Sequence, residues 1–122
     1  MNLTTGIDLI EIDRVASAIE RHGERFLNRI FTQREQNDCA GRAESFAARF
    51  AAKEATAKAL ACGFGADLAW DEVEIQRAES GAPSLVLYGK ADALAKEKGI
   101  TTWSLSVSHS QSHAIAMVVG VG

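Results

Sequence analysis

Hydrophobic and polar positions alternate over the opening segment TGIDLIEI. Asp8 shares a face with Ile10 and Ile12, whereas Ile7, Leu9 and Glu11 share the other. A period of two with β-branched side chains predicts a strand. The period then lengthens. Asp13 is placed as the N-cap of a helix reaching about His22, with Gly23 as its stop. A short helix is expected from Glu24 to Ile30. Thr32 and Glu35 form a T-x-x-E capping box, so a third helix should run from Gln33 to about Ala40 and end at Gly41. A long alanine-rich helix follows, roughly from Ala43 to Leu60.

Beyond it the pattern changes. CGFGAD is a glycine-punctuated loop, and DEVEIQR and SLVLYG alternate on either side of AESGAP as a hairpin. KADALAKEK reads as a short helix stopped by Gly99. WSLSVSH and HAIAMVVGV read as a second hairpin around SQS. The order β, several helices, ββ, α, ββ predicts one α+β domain over residues 1–122, with an antiparallel sheet packed on the long helix.

The long helix carries the first chemical question. At about 100° per residue, with Phe46 at zero, Arg49, Lys53 and Thr56 cluster at roughly 280–340°, which predicts a solvated arc. Glu54 and Lys58 fall at roughly 80° and 120°, on a wall of alanine and phenylalanine. Their spacing fits an exposed i,i+4 ion pair. The wheel favours the other reading, a functional pair to which small alanines leave a ligand access. Asp8 poses a related question. A carboxylate among aliphatic residues needs a pairing, a hydrogen bond or a cation, so it is either a strand-end cap or a metal ligand. Asp8 and Glu54 together would supply the two carboxylates that a magnesium ion usually takes from protein, and Lys58 could reach the same phosphates. That constellation suits phosphoryl transfer. In SLSVSHS, Ser104, Ser106 and Ser108 share one face of a strand, and His109 stands at its end with Trp103, Leu105 and Val107 on the other. His109 is either a solvated turn residue or a phosphate donor.

Composition sharpens this. The chain has 122 residues, 47% hydrophobic and 24% charged, enough for one modest core. No apolar run approaches the roughly 20 residues that span a bilayer, and the N-terminus lacks a signal-peptide pattern. Cys39 and Cys62 have no metal-ligand spacing, so they read as small apolar residues in a reduced, cytoplasmic setting. The net charge of −3 hides an asymmetry: residues 14–58 hold nine Lys/Arg against six acids, hence +3, and the remainder is −6. Seven of the nine are arginine, which suits carboxylate and phosphate partners. An acidic partner is expected; nucleic acid and membrane are not.

The segments GIDLIEI with Arg14 shortly after, FTQRE, ARFAAKEATAKAL, the G-A-P turn, and LSVSHS followed by AIAMVV resemble, in order and over nearly the whole chain, the holo-acyl-carrier-protein synthases, the small bacterial type of 4'-phosphopantetheinyl transferase. The resemblance implies the fold of that family and transfer of phosphopantetheine from coenzyme A to a serine of acyl carrier protein, releasing adenosine 3',5'-bisphosphate, in support of fatty acid biosynthesis. It implies that Asp8 and Glu54 hold magnesium, with manganese as an alternative. It further implies that Lys58 contacts the attacked phosphate and that Glu54 is a candidate acceptor of the serine proton. His109, Ser108 and Arg49 would lie near the 3'-phosphate. Gly63, Gly65, Gly81 and Pro83 match the nucleotide surroundings. Arg14 matches a carrier contact, and Arg21 and Arg25 would extend that surface. A homotrimer with sites at subunit interfaces is implied as well. Ala61 and Cys62 depart from the family's usual glycine and threonine. Two other readings stay open: a non-catalytic coenzyme A or nucleotide binding module, which would not need Asp8 and Glu54 together, and a purely structural interaction protein.

Overall fold

A computed structural model describes all of residues 1–122. Strand β1 (Leu3–Glu11) runs directly into helix α1 (Ile12–His22), followed by α2 (Glu24–Ile30), α3 (Gln33–Cys39) and the long α4 (Ala43–Ala59). A single 3-10 turn (Trp70–Glu72) leads into β2 (Val73–Arg77) and β3 (Pro83–Leu87), and then come α5 (Gly89–Glu97), β4 (Thr102–His109) and β5 (His113–Val121). The fold is α+β as expected, but the strands form two sheets: β1-β5-β4 and β2-β3, all antiparallel. No helix is long and apolar enough to cross a membrane.

Small residues dictate how α4 and the larger sheet meet. Ala47, Ala51, Ala55 and Ala59 are buried on α4, opposite Ala114, Ala116 and Val118 of β5. At Gly6 an added Cβ would lie 1.8 Å from the Ala55 carbonyl oxygen, so β1 backbone rests directly on helix backbone. Thr4 Oγ1 donates to the Ala59 carbonyl at 2.7 Å, tying the same strand to the helix end. The alanines therefore admit a strand, not a ligand as their size had suggested.

Several local expectations change. Asp13 is not the cap of α1; the chain turns at Glu11 without a side-chain cap, and Asp13 sits inside the first turn, where its charge favours the helix dipole. The capping box of α3 forms, with Thr32 and Glu35 bonded reciprocally. The greatest correction concerns α4. Arg49, Lys53 and Thr56, expected in solvent, are only 6%, 0% and 0% exposed. Helix α3 and β2 pack over that arc, so α4 is enclosed on nearly every side. Beyond its first turn, where Ala43, Glu44 and Ser45 are partly exposed, only the strip of Phe50, Glu54 and Lys58 keeps access to water.

Ala61 ends α4 in the left-handed conformation, at φ 57°. Its amide donates to the Lys58 carbonyl and that of Cys62 to the Ala57 carbonyl, the paired bonds of a Schellman motif in which glycine is the usual residue. At the first of the two departures, then, the turn carries an alanine in a conformation that favours glycine.

Candidate active site

Asp8 reaches α4 because β1 lies so close to it. Its Oδ1 accepts from Lys58 Nζ at 2.9 Å, and the same ammonium donates to the Ile7 carbonyl at 3.0 Å. The two side chains are 17% and 54% exposed. Glu54, one turn before Lys58, is half-buried on the same strip and is not paired with it. Burial first, and the neighbouring Asp8 charge second, hold the Glu54 carboxyl above its usual range, while Lys58 pulls the other way. Two mutually repelling carboxylates thus lie side by side, and only Asp8 is paired with the lysine. They open into a cleft of about 320 Å³ with Arg14 at its side and Val15, Phe26 and Phe50 as apolar wall.

No group of three or more His, Cys, Asp or Glu side chains forms a complete metal cage. The Asp8–Glu54 pair fits a magnesium ion that takes two carboxylates from protein and its other oxygens from water and phosphate. The ordinary i,i+4 reading of Glu54 and Lys58 fails, since the lysine pairs across the fold instead.

The remaining candidates occupy three other places. Arg49 lines a smaller cleft of about 70 Å³ together with Gln76, Arg77, Gly81 and Pro83. Its nearest acid, Asp38, is 3.8 Å away, and its buried Nε has no hydrogen-bond partner. A buried, underused guanidinium facing a second arginine is an anion site in its chemistry. Arg77, the last residue of β2, was missed in the sequence, where it reads only as the solvated end of an alternating strand. Arg14 and Arg21 line one surface cleft with His22, and Arg25 and Arg29 line the next with the same histidine, so the basic residues do form one face. His22 and Arg29 had not been singled out. Gly63 and Gly65 lie in the loop after α4, where Phe64 stacks on Trp70 at 3.8 Å and Trp70 in turn on Phe50 at 5.3 Å. His109 and Ser108 end β4, with β5 between them and β1. They point to opposite sides of the sheet, and the His109 ring lies 3.3 Å from the neighbouring Ser110 carbonyl as a hydrogen-bond partner. Within one chain, then, Asp8, Glu54 and Lys58 converge, Arg49, Gly81 and Pro83 converge, and the two groups remain separate.

The outward face of the larger sheet is unusual. Leu3, Ile7 and Leu9 of β1 are 65%, 55% and 63% exposed, and Met117 and Ile115 of β5 stand beside Ile7 and Leu9 in register. An apolar sheet face of this kind marks an interaction surface.

The family model described as the 4'-phosphopantetheinyl transferase superfamily matches residues 4–118. A holo-[acyl-carrier-protein] synthase of Herpetosiphon aurantiacus is 48% identical, covering 98% of this chain and 99% of its own length. One from Dehalococcoides mccartyi is 50% identical over 96% of this chain and 97% of its own. Among solved structures, the Helicobacter pylori holo-[acyl-carrier-protein] synthase in complex with coenzyme A superposes with a TM-score of 0.88 at 32% identity, over 96% of this chain and 99% of that one. The Bacillus anthracis enzyme, in complex with CoA (3',5'-ADP), gives 0.80 at 31% identity, over 98% and 97%.

Proposed function

The chain belongs to the 4'-phosphopantetheinyl transferase superfamily, and we propose that it works as a holo-[acyl-carrier-protein] synthase through Asp8, Glu54 and Lys58. Such an enzyme moves 4'-phosphopantetheine from coenzyme A to a serine of apo acyl carrier protein. The serine oxygen forms a bond to the β-phosphorus, the bridging phosphoanhydride bond breaks, and adenosine 3',5'-bisphosphate departs with the electron pair. The observation that carries this reading is that Asp8 and Glu54 line one cleft while Asp8 also accepts from Lys58 Nζ at 2.9 Å.

Asp8 and Glu54 are the residues that would hold magnesium, or manganese, against the pyrophosphate. Such an ion would supply positive charge to offset that developing on the phosphate oxygens. Lys58 is assigned to release Asp8 and hold the attacked phosphate, stabilising charge as it moves toward the leaving group. Glu54, with its raised pKa and half-buried position, is the residue we assign to receive the serine proton.

The underused Arg49, with Arg77, Gly81 and Pro83 around it, is the cleft we assign to the 3'-phosphate of coenzyme A. His109, Ser108 and the loop of Gly63 and Gly65 we assign to the remainder of the nucleotide. These groups are apart within one chain, which supports a site completed by a second copy. The apolar outer face of β1 and β5 supports self-association, and we read the assembly as a homotrimer. The face of Arg14, Arg21 and Arg25 is assigned to the acidic carrier, where complementary charge speeds encounter and makes it salt-sensitive. Residues 1–122 are taken as one catalytic unit. Two free cysteines fit a cytoplasmic setting, and the carrier is assigned to fatty acid biosynthesis.

The test is to mix the protein with apo acyl carrier protein, coenzyme A and magnesium, with and without chelator, and weigh the carrier. Metal-dependent gain of one phosphopantetheinyl group is expected. Coenzyme A binding with no gain on any carrier would leave the binding-module reading.

A further inference from the structure

On the side of α4 turned away from Glu54, the side chains of Lys53 and Glu35 are both 0% exposed and 2.9 Å apart. A buried ion pair persists only when its remaining hydrogen-bonding groups are also used, and here they are. Lys53 Nζ donates to Glu35 Oε1, to the Trp70 carbonyl at 2.9 Å and to the Val73 carbonyl. Glu35 Oε1 also accepts from the Thr32 amide at 2.8 Å, closing the capping box of α3. Glu35 Oε2 accepts from the Ile75 amide at 2.8 Å.

Val73 and Ile75 belong to β2, whose one neighbour is β3. The carbonyl and amide that meet the pair lie on the other edge, where a further strand would otherwise bond. The pair therefore takes the place of a strand: it satisfies an edge that would otherwise be buried and open. The far end of the same hairpin carries Arg77, Gly81 and Pro83, which form the cleft against Arg49. Arg49 itself precedes Lys53 by one turn of α4.

We propose that Glu35 and Lys53 are positioning residues for the transfer, anchoring the β2–β3 hairpin to α4 and so holding Gly81, Pro83 and Arg77 at the distance from Arg49 that a phosphorylated nucleotide needs. This rests on assigning that cleft to coenzyme A. The pair touches neither the carrier face nor the Asp8–Glu54–Lys58 cluster, so its influence falls on one substrate.

Glu35→Gln tests it. Glutamine keeps one acceptor oxygen for Lys53 and the Thr32 amide, and turns an amide donor toward the Ile75 N–H. The hairpin loses its anchor while the α3 cap keeps its acceptor. The expected result is a KM for coenzyme A, and a dissociation constant by calorimetry, raised about tenfold. The KM for apo carrier, and kcat at saturating coenzyme A, should stay within about twofold. Equal rises in both KM values, or a loss of kcat with both KM values unchanged, would show a merely structural pair and overturn the proposal. If the variant does not fold, hydrogen exchange on the wild type decides. The Ile75 amide should exchange with the slowest core amides, and coenzyme A should slow the amides of residues 78–82. Fast exchange at Ile75, or a turn indifferent to coenzyme A, would overturn it. Failure of the wild type to bind coenzyme A would overturn both this proposal and the assignment beneath it; binding without the KM split overturns this proposal alone.

Discussion

Two lysines on α4, five residues apart, each face a carboxylate at 2.9 Å, and the two pairs differ in almost everything else. Lys53 and Glu35 are sealed, with every hydrogen-bonding group spoken for. Lys58 and Asp8 are partly open, with Glu54 beside them unpaired and a cleft in front. Distance does not separate a sealed, anchoring pair from a reactive one. The difference lies in what is left over: the sealed pair has no free valence and no route for a ligand, while the open pair has a surplus carboxylate and space. Burial pulls the Lys53 ammonium below its usual range against the pull of Glu35, whereas at the open pair the shift falls on Glu54, upward.

The same substitution at the two lysines should break the comparison in opposite ways. Lys58→Met should cut transfer on the order of a hundredfold or more, because a charge next to the transferring phosphate is removed. Its folding stability should change by less than about 1 kcal/mol, as for an exposed ion pair. Lys53→Met should instead cost roughly 3–5 kcal/mol in denaturant titration, since it strands a buried carboxylate. Equal stability losses at both positions would contradict the distinction.

A titration sharpens it. The free enzyme's Glu54 is ionised only above its raised pKa, so divalent-ion affinity should fall as pH drops through that value, up to about tenfold per pH unit below it. The fall should begin at a higher pH than the usual glutamate value of 4.5 would give. The stability term runs the opposite way: the folded state binds this proton more tightly than the unfolded, so folding stability falls as pH rises from 4.5 through the raised value. Calorimetric magnesium titrations across that range, on wild type and Glu54→Gln, check it.

The smallest effect belongs to the helix end just past Lys58. Ala61→Gly should relieve the left-handed alanine and raise stability by about 1 kcal/mol, with transfer unchanged. A loss of stability would mean that the strained turn is compensated elsewhere.

Much of this molecule is legible in its sequence because the signals are local. Thr32 and Glu35 cap α3 within three residues of each other, and Gly23 stops a helix by its own backbone freedom. The helical wheel and the carboxylate on β1 singled out Asp8, Glu54 and Lys58, the resemblance gave them roles, and the fold brings those three together. What misled was the helical wheel of α4, which equates charge with solvent. Lys53 is buried because its partners stand 17 to 20 residues away along the chain, at Glu35, Trp70 and Val73. No periodicity within α4 records them. Glu35 showed the same limit from the other side: its capping role was plain, and its second oxygen's bond to Ile75, 40 residues on, was not. The alanines were read as room for a ligand, whereas Gly6 fills that room with backbone.

The most direct test of the central claim, that the open pair and Glu54 carry the chemistry while the sealed pair anchors the hairpin, is one mass measurement. Apo carrier is weighed after incubation with coenzyme A, magnesium and either wild type or Glu54→Gln, with thermal melts of both proteins alongside. The account predicts full conversion by the wild type, conversion slowed on the order of a thousandfold by the variant, and melting points that match or favour the variant. Conversion at the wild-type rate by a folded Glu54→Gln would contradict it.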